Sequence, residues 1–212
     1  MKQIGILTAP HLADLTADDR LVEPFLADAG FQLKPVIWTN PDYQALDAII
    51  MRSTWGYFQQ AQAFDVFLKH LQQQPIPVQN QVSSMLANMD KRYLLDLQAQ
   101  GYPVIPTVYL ESLQSLEQKR DVLEHWSDLI VKPVVSASGF ETHWLKAGEP
   151  WPASLAQLDC GLLIQPFCPA IQSEGEWSLI YFWGQYSHAV CKRPRSEGYL
   201  IHEEHGGVTL SD

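Results

Sequence analysis

Residues 129–142, Leu-Ile-Val-Lys-Pro-Val-Val-Ser-Ala-Ser-Gly-Phe-Glu-Thr, are the stretch on which the interpretation of this chain depends. The stretch begins as an apolar, β-branched run, which predicts a buried strand. Lys132 lies inside that run, and burying an ammonium group is costly unless an anion meets it. Four small residues follow at 136–139, and such a loop lets backbone N–H groups approach an anion closely. The stretch is consistent either with a phosphate clamp or with an edge-strand lysine and an ordinary hairpin turn.

The composition indicates an ordinary globular protein with an acidic balance. The chain has 212 residues, a formal net charge of −10 and three cysteines that form no CxxC pair. An excess of negative charge argues against nucleic acid or an anionic membrane as the main partner. The unpaired cysteines predict reduced thiols and a cytoplasmic location. The sequence shows no signal peptide and no apolar run of membrane-spanning length.

The first third of the chain predicts a parallel sheet. Short apolar runs near residues 3–7, 31–38, 48–51 and 75–78 alternate with segments of helical spacing, which is typical of an α/β unit. Asp18 or Asp19 is expected to cap a helix that ends at Gly30, with a late start or a bend at Pro24. Ligands of such sheets lie at the carboxyl ends of the strands, where Arg52 follows the third run. Arg52 is therefore either a substrate contact or one half of a salt bridge.

From residue 91 onward the pattern changes to antiparallel hairpins with helices, and we expect a boundary near residues 82–90. From here on, seven short segments are informative by their order and spacing. They are Asn88-Met89-Asp90-Lys91-Arg92-Tyr93-Leu94, Val131-Lys132-Pro133, Ser138-Gly139, Leu163-Ile164-Gln165-Pro166-Phe167, Glu174-Gly175-Glu176-Trp177-Ser178, Lys192-Arg193-Pro194 and Glu203-Glu204-His205-Gly206-Gly207. Taken together, this order and spacing resemble the ATP-grasp superfamily, on the branch of glutathione-synthetase-like and ribosomal-protein-modifying ligases.

The resemblance implies both a fold and a division of the chain. The expected fold class is α/β, with an α+β ATP-binding part. A pre-ATP-grasp domain would occupy residues 1–88 and an ATP-grasp lid subdomain residues 89–167. Residues 168–212 would be the start of an incomplete C-terminal ATP-grasp subdomain.

The resemblance also implies roles for individual residues. The ATP-binding set would be Lys91, Lys132, Ser136, Ser138, Gly139, Gln165, Pro166, Phe167 and Glu176, and the catalytic set Lys192, Arg193 and Arg52. The two early lysines would reach the phosphates, the loop at 136–139 would close over them, and the strand carrying Gln165 and Phe167 would hold the adenine. Glu176 would accept from the ribose hydroxyls, while Lys192 and Arg193 would face the transferred phosphoryl group or the substrate carboxylate.

The residue types suit these roles, although each also has a simpler interpretation. A lysine is a compact charge suited to phosphate, and an arginine fork suits a carboxylate. Glu176 could equally be a solvated strand residue, and Lys192 and Arg193 the basic end of a hairpin. The sequence contains neither a P-loop nor a dinucleotide-binding GxGxxG motif. His202 and His205 lie among acids but lack the HExxH spacing, so protein-bound zinc is the less favoured interpretation, and Gly206-Gly207 would allow close approach to a substrate.

The sequence departs from the family pattern at three points. Gly56 stands where the subfamily usually has an acid, and Leu200 stands where relatives tend to carry an arginine. The chain also ends before the Asp and Glu-x-Asn segment that binds Mg²⁺ in relatives, so it looks truncated, with the metal ligands expected beyond residue 212.

The expected function is an ATP-dependent carboxylate–amine ligase that forms an amide through an acyl phosphate, with ATP and Mg²⁺ as cofactors. The substrates would be a small amino acid or peptide-like acid and an amine. The alternative is a nucleotide-binding fragment or degenerate relative without turnover. The oligomeric state is left open, with a homodimer as one option.

Overall fold

The computed structural model describes residues 1–195 and 198–211 and divides into two compact units, Met1–Asp90 and Lys91–Asp212. The α/β fold class is confirmed, with a parallel sheet in the first unit and antiparallel sheets in the second. The predicted division of the second unit near residue 167 stays a prediction. Across the described ranges, none of the helices combines the length and apolar character that crossing a membrane requires.

The first unit is built on a four-stranded parallel sheet with the order β2-β1-β3-β4. Its strands are β1 (Lys2–Thr8), β2 (Phe31–Ile37), β3 (Ala48–Ser53) and β4 (Val78–Gln79). Its helices are α1 (Ala17–Arg20), α2 (Glu23–Asp28), α3 (Ala61–Gln72) and α4 (Val82–Met89). The buried side of α3 packs on the sheet, and its Leu68 and Leu71 are fully buried beside Leu7 and Ile49.

The segment after β1 forms two short helices, and the second starts late, as expected at Pro24. Pro24 lies in the first turn of α2 and lacks the N–H that a continuous helix needs. The cap differs from the predicted Asp18 or Asp19. The cap of α1 is Thr16, whose hydroxyl accepts a hydrogen bond from the Asp19 N–H at 3.0 Å. The Asp19 carboxylate is thereby left for another partner.

The second unit contains two antiparallel sheets. The first has the order β5-β8-β6-β7 and is formed by β5 (Val108–Leu110), β6 (Leu129–Pro133), β7 (His143–Leu145) and β8 (Leu162–Pro166). The second has the order β11-β10-β9 and is formed by β9 (Glu176–Phe182), β10 (Gln185–Arg193) and β11 (Val208–Ser211). The helices are α5 (Tyr93–Ala99), α6 (Arg120–Leu123) and α7 (Ala170–Ser173), with 3-10 segments at Leu113–Lys119, Ala153–Gln157 and Glu203–His205.

The stretch at residues 129–142 supplies a central strand and the loop that follows it. β6 lies between β8 and β7, with Val131 opposite Ile164 and Lys132 opposite Leu163. Val131 and Ile164 are fully buried, so the apolar run forms the predicted buried strand. This burial fixes the register of β6 and with it the position of Lys132 and the loop.

Candidate functional site

A cavity of about 350 Å³ in the second unit brings most of the predicted site residues together. All nine residues of the predicted ATP-binding set line it, and Lys192 of the predicted catalytic set does as well. It is also lined by residues that the sequence did not single out as ligand contacts: Ile105, Ile130, Ala137, Thr142, Cys168, Ile171, Tyr199, Leu200, Ile201 and His202.

The two lysines reach the cavity from different segments. Lys91 precedes α5, and its backbone N–H donates to the Val134 carbonyl at 2.8 Å, which ties it to the chain beyond β6. Its ammonium donates to the carbonyl of Ser136. Lys132 projects from β6 itself. Burial lowers the pKa of Lys132, and the nearby carboxylate of Glu176 opposes this shift only in part.

The loop at residues 136–139 is held in a defined conformation. The buried Ser136 hydroxyl donates to the Phe140 carbonyl at 2.7 Å. Ser138 and Gly139 both have positive φ, at 53° and 71°, so the backbone turns sharply beside the cavity. His205, on the segment that follows β10, places its Nε2 3.0 Å from the Ser138 carbonyl oxygen. The loop is therefore positioned by the segment that follows β10.

Leu200 packs against this loop. A Cβ added at Gly139 would lie 2.9 Å from a Leu200 methyl group, so a side chain there would displace Leu200, and the positive φ of Gly139 also favours glycine. The contact is apolar and supports the loop. No local pattern in the sequence predicts it, because the two residues are distant in the chain and come together only through the fold.

An aromatic wall borders the cavity and consists of Phe167, which lines the cavity, and Trp144, which stacks on Phe167. The two ring centroids lie 4.1 Å apart, and the interplanar angle is 11°. Trp144 Nε1 donates to Asp128 at 3.0 Å, and the Tyr199 hydroxyl donates to the Thr142 carbonyl at 2.7 Å. These hydrogen bonds hold the wall rigid, and a flat apolar surface of this kind suits a planar ring.

The strand predicted to hold adenine has part of its hydrogen-bonding capacity already engaged. The Phe167 N–H donates to the Asp128 carbonyl at 2.9 Å, and Pro166 has no N–H. The buried side chain of Gln165 donates to the Thr107 hydroxyl at 2.8 Å. Phe167 therefore offers a ligand its ring and its carbonyl oxygen, not its N–H.

Glu176 and Lys192 face the cavity from adjacent strands, whereas Arg193 does not point the same way. Glu176 on β9 pairs with Lys192 on β10, so their side chains share one face of the sheet. Successive strand residues alternate between faces, and Arg193 accordingly packs over Gly175, where an added Cβ would come within 2.9 Å of its side chain. The alternation of side chains along β10 could have shown from sequence alone that Lys192 and Arg193 lie on opposite faces of the sheet.

Arg52 lies in the first unit and is held by an internal partner. Its Nε donates to Asp19 at 2.7 Å, and Ser53 donates to the other oxygen of the same carboxylate. Burial acts to raise the pKa of Asp19, but the hydrogen bonds from Ser53, Arg52 and Thr16 outweigh it and lower the pKa. Of the two alternatives that the sequence offered for Arg52, the salt bridge is therefore present, and its partner is Asp19. About half of the Arg52 side chain stays exposed.

His202 is the cavity residue for which the sequence suggested a different role. It was considered with His205 as a weak zinc candidate, and the described residues contain no group of three or more His, Cys, Asp or Glu side chains arranged to hold a metal. Instead its ring lines the cavity. Gly207 lies against the backbone, since an added Cβ would lie 2.1 Å from the Ile201 oxygen, and the approach of a substrate at Gly206-Gly207 stays a prediction.

Comparison with known sequences identifies relatives of the first unit and of most of the chain. A family model described as the N-terminal domain of the D-cycloserine synthetase DcsG matches residues 4–80. The chain is 28% identical over 165 residues to the cycloserine biosynthesis protein DcsG of Streptomyces lavendulae, covering 71% of this chain and 53% of that protein. The chain thus spans about half the length of this curated relative.

Comparison with solved structures extends the likeness to the whole chain. The crystal structure of D-cycloserine synthetase DcsG matches 99% of this chain and 75% of its own, with a TM-score of 0.83 and 22% identity. D-alanine–D-alanine ligase from Bacillus anthracis, also solved in complex with ATP, matches with a TM-score of 0.71 and 13% identity, covering 100% of this chain and 72% of its own. The RimK domain ATP-grasp protein from Sphaerobacter thermophilus matches 79% of this chain and 64% of its own, with a TM-score of 0.57 and 17% identity.

Proposed function

We propose that this chain, which has the fold of ATP-grasp ligases, binds ATP in the cavity of its second unit as part of a carboxylate–amine ligase. The observation that carries the proposal is the convergence of Lys91, Lys132 and the loop at residues 136–139 on one cavity with an aromatic wall. Two ammonium groups suit a polyphosphate, and the Phe167 ring suits a planar base. The described residues therefore fit ATP.

The remaining roles follow from where each side chain lies. Glu176 would accept hydrogen bonds from the ribose hydroxyls, and Lys192 would face the transferring phosphoryl group. Lysine charges aimed at the phosphates stabilise the negative charge of the transition state, and phosphoryl transfer depends mainly on such positioning. Arg52 as a contact to the substrate carboxylate, and Arg193 as a basic group near the phosphoryl, stay predictions.

The proposed chemistry has two steps. A carboxylate oxygen of the acid substrate attacks the γ-phosphorus, the bond to the β-phosphate oxygen breaks, and ADP leaves, giving an acyl phosphate. An amine then attacks the acyl carbon, inorganic phosphate leaves and the amine loses a proton, giving an amide. Activation as an acyl phosphate, a mixed anhydride, converts a poor leaving group into a good one, and a small amino acid or peptide-like acid is the substrate class. If one molecule carries both groups, the product is a ring.

Magnesium is implied by the family resemblance, but the described residues do not fit a protein-held Mg²⁺. Such sites use several oxygen ligands, commonly carboxylates, and Glu176 is the only acidic side chain among the residues that line the cavity in the described part of the chain. The same observation favours the second candidate function, a nucleotide-binding module that does not turn over.

Calorimetric titration with ATP and Mg²⁺ tests the binding part of the proposal. The parent should bind, and Lys132→Met should weaken binding about 10- to 100-fold, because a hydrogen bond to a charged group contributes about 1.5–3 kcal/mol. The matched control is Lys119→Met, which makes the same charge change at an exposed residue of the second unit. Equal affinity in the parent and Lys132→Met would contradict the assignment of the cavity.

An ADP-release assay with small amino acids, including D-alanine and D-serine, separates the two candidate functions. Release that depends on the added acid supports the ligase. ATP binding without release under any acid supports the binding module.

A further inference from the structure

The backbone around His202 is fixed by a tight turn at the edge of the cavity. The His202 carbonyl accepts hydrogen bonds from the N–H groups of His205 at 2.9 Å and Gly207 at 3.0 Å. Gly207 has no room for a side chain, because an added Cβ would lie 2.1 Å from the Ile201 oxygen. The turn therefore presents the His202 ring to the cavity with little freedom of the backbone.

One nitrogen of the His202 ring lacks a partner. Nδ1 is buried, and within residues 1–195 and 198–211 nothing forms a hydrogen bond with it. Burial lowers the pKa of His202. The charged and titratable groups around the ring have opposite effects on this pKa. Glu204 and Glu176 raise it, whereas His205 and Lys192 lower it. The imidazole is therefore neutral at pH 7 and carries a single N–H.

The buried position of Nδ1 decides which nitrogen carries that proton. A buried N–H without an acceptor is among the rarest unsatisfied groups in proteins and costs about 1–3 kcal/mol. The tautomer protonated at Nε2 avoids this cost. It also gives the ring a neutral donor that the fold leaves for a ligand.

The neighbours of His202 indicate which part of a nucleotide it meets. Leu200 packs on Gly139 of the loop at residues 136–139, and His205 Nε2 lies 3.0 Å from the Ser138 carbonyl oxygen. The segment that carries His202 thus lies against the loop that would cover the phosphates. The aromatic wall formed by Phe167 and Trp144 lies on other segments, because Phe167 directly follows β8 and Trp144 lies on β7.

We infer that His202 donates a hydrogen bond from Nε2 to a phosphate oxygen of the bound nucleotide. This inference rests on the proposed function, since it names a further contact of the same cavity. It assigns the residue a role as a neutral donor that adds to the lysine charges without introducing another cation.

Calorimetry on the full chain tests the inference with three substitutions at one position. His202→Leu removes the donor, His202→Gln places an amide N–H at the reach of Nε2, and His202→Asn places one only at the reach of Nδ1. We expect Leu and Asn to weaken ATP binding about tenfold and Gln to stay within about threefold of the parent. The control, His188→Leu, changes an exposed histidine of β10 and should leave the affinity unchanged.

Titrations with shorter nucleotides show which group of the nucleotide His202 contacts. Adenosine should bind the parent and His202→Leu with equal affinity. Comparison of AMP with ADP then shows at which phosphate the substitution begins to weaken binding. An equal loss with adenosine would overturn the assignment in favour of a ribose contact. ATP binding that is the same in parent and His202→Leu would overturn the inference alone, whereas a parent that does not bind ATP would overturn the proposed function with it. If His202→Leu fails to fold, the contrast between Gln and Asn decides.

Discussion

Asp19 in the first unit and Lys132 in the second are both withdrawn from solvent, but the chain compensates their charges to different degrees. Asp19 receives hydrogen bonds from Ser53, Arg52 and Thr16, which together outweigh its burial and lower its pKa. Lys132 interacts with Glu176, yet burial prevails and lowers its pKa. The first charge is stabilised by the fold itself. The second is left for a ligand to stabilise, which is the signature expected of a binding site.

The largest effect expected from this difference is on the first unit. Arg52→Met leaves the buried Asp19 carboxylate without its cation and should lower the free energy of unfolding by about 2–3 kcal/mol, less than for a fully buried pair because Arg52 is half exposed. Urea unfolding followed by tryptophan fluorescence measures the change. Lys34→Met, which breaks the exposed pair with Asp42, should change stability by less than about 0.5 kcal/mol. Equal effects of the two substitutions would mean that the Asp19–Arg52 pair stabilises the first unit no more than the exposed Lys34–Asp42 pair does.

A smaller effect of opposite sign is expected at Lys132. Without ligand, Lys132→Met replaces a buried ammonium with an apolar chain of similar length and should stabilise the protein by about 1 kcal/mol. The same urea experiment in nucleotide-free buffer measures it, with Lys119→Met as the charge-matched control. Destabilisation by Lys132→Met alone would mean that the chain already compensates this charge, as it does for Asp19.

The smallest effects are on the pH dependence, where the two groups should act at opposite ends of the scale. A lowered carboxylate pKa contributes stability above the ordinary value of 3.8 and loses it as the pH falls through the folded-state pKa. A lowered lysine pKa means that the unfolded chain binds more protons, so stability rises as the pH increases toward the ordinary value of 10.5. The free energy of unfolding is measured against pH for the parent, Asp19→Asn and Lys132→Met, and the difference from the parent isolates the contribution of each group. A contribution of Lys132 that falls as the pH rises toward 10.5 would contradict the assignment for Lys132.

Short-range patterns in the sequence predicted much of the fold and of the cavity. The apolar run of β6 has few ways to be buried, so Lys132 and the loop after it follow from residues that are neighbours in the chain. The antiparallel hairpins expected from residue 91 onward are likewise present, for example where β9 (Glu176–Phe182) pairs with β10. Local chemistry was sufficient wherever the contacts were local.

The features that sequence reasoning missed depend on contacts between distant residues. Asp19 was taken as a helix cap, but Thr16 is the cap and Asp19 binds Arg52, 33 residues further on. The hydrogen bond from the Phe167 N–H to the Asp128 carbonyl likewise joins residues that are distant in the chain, and no sequence pattern predicts it. His202 could not be separated from His205 by spacing, because only the turn at residues 202–207 decides which ring enters the cavity.

Cys168 gives the cavity a chemical handle of its own. It lies on the cavity wall with an exposed thiol, while Cys191 is buried and Cys160 is half-buried. Accessible thiols react with electrophiles much faster than enclosed ones. A maleimide or iodoacetamide label therefore becomes a footprint of cavity occupancy, read by mass spectrometry on the unmutated chain and independent of any catalytic turnover.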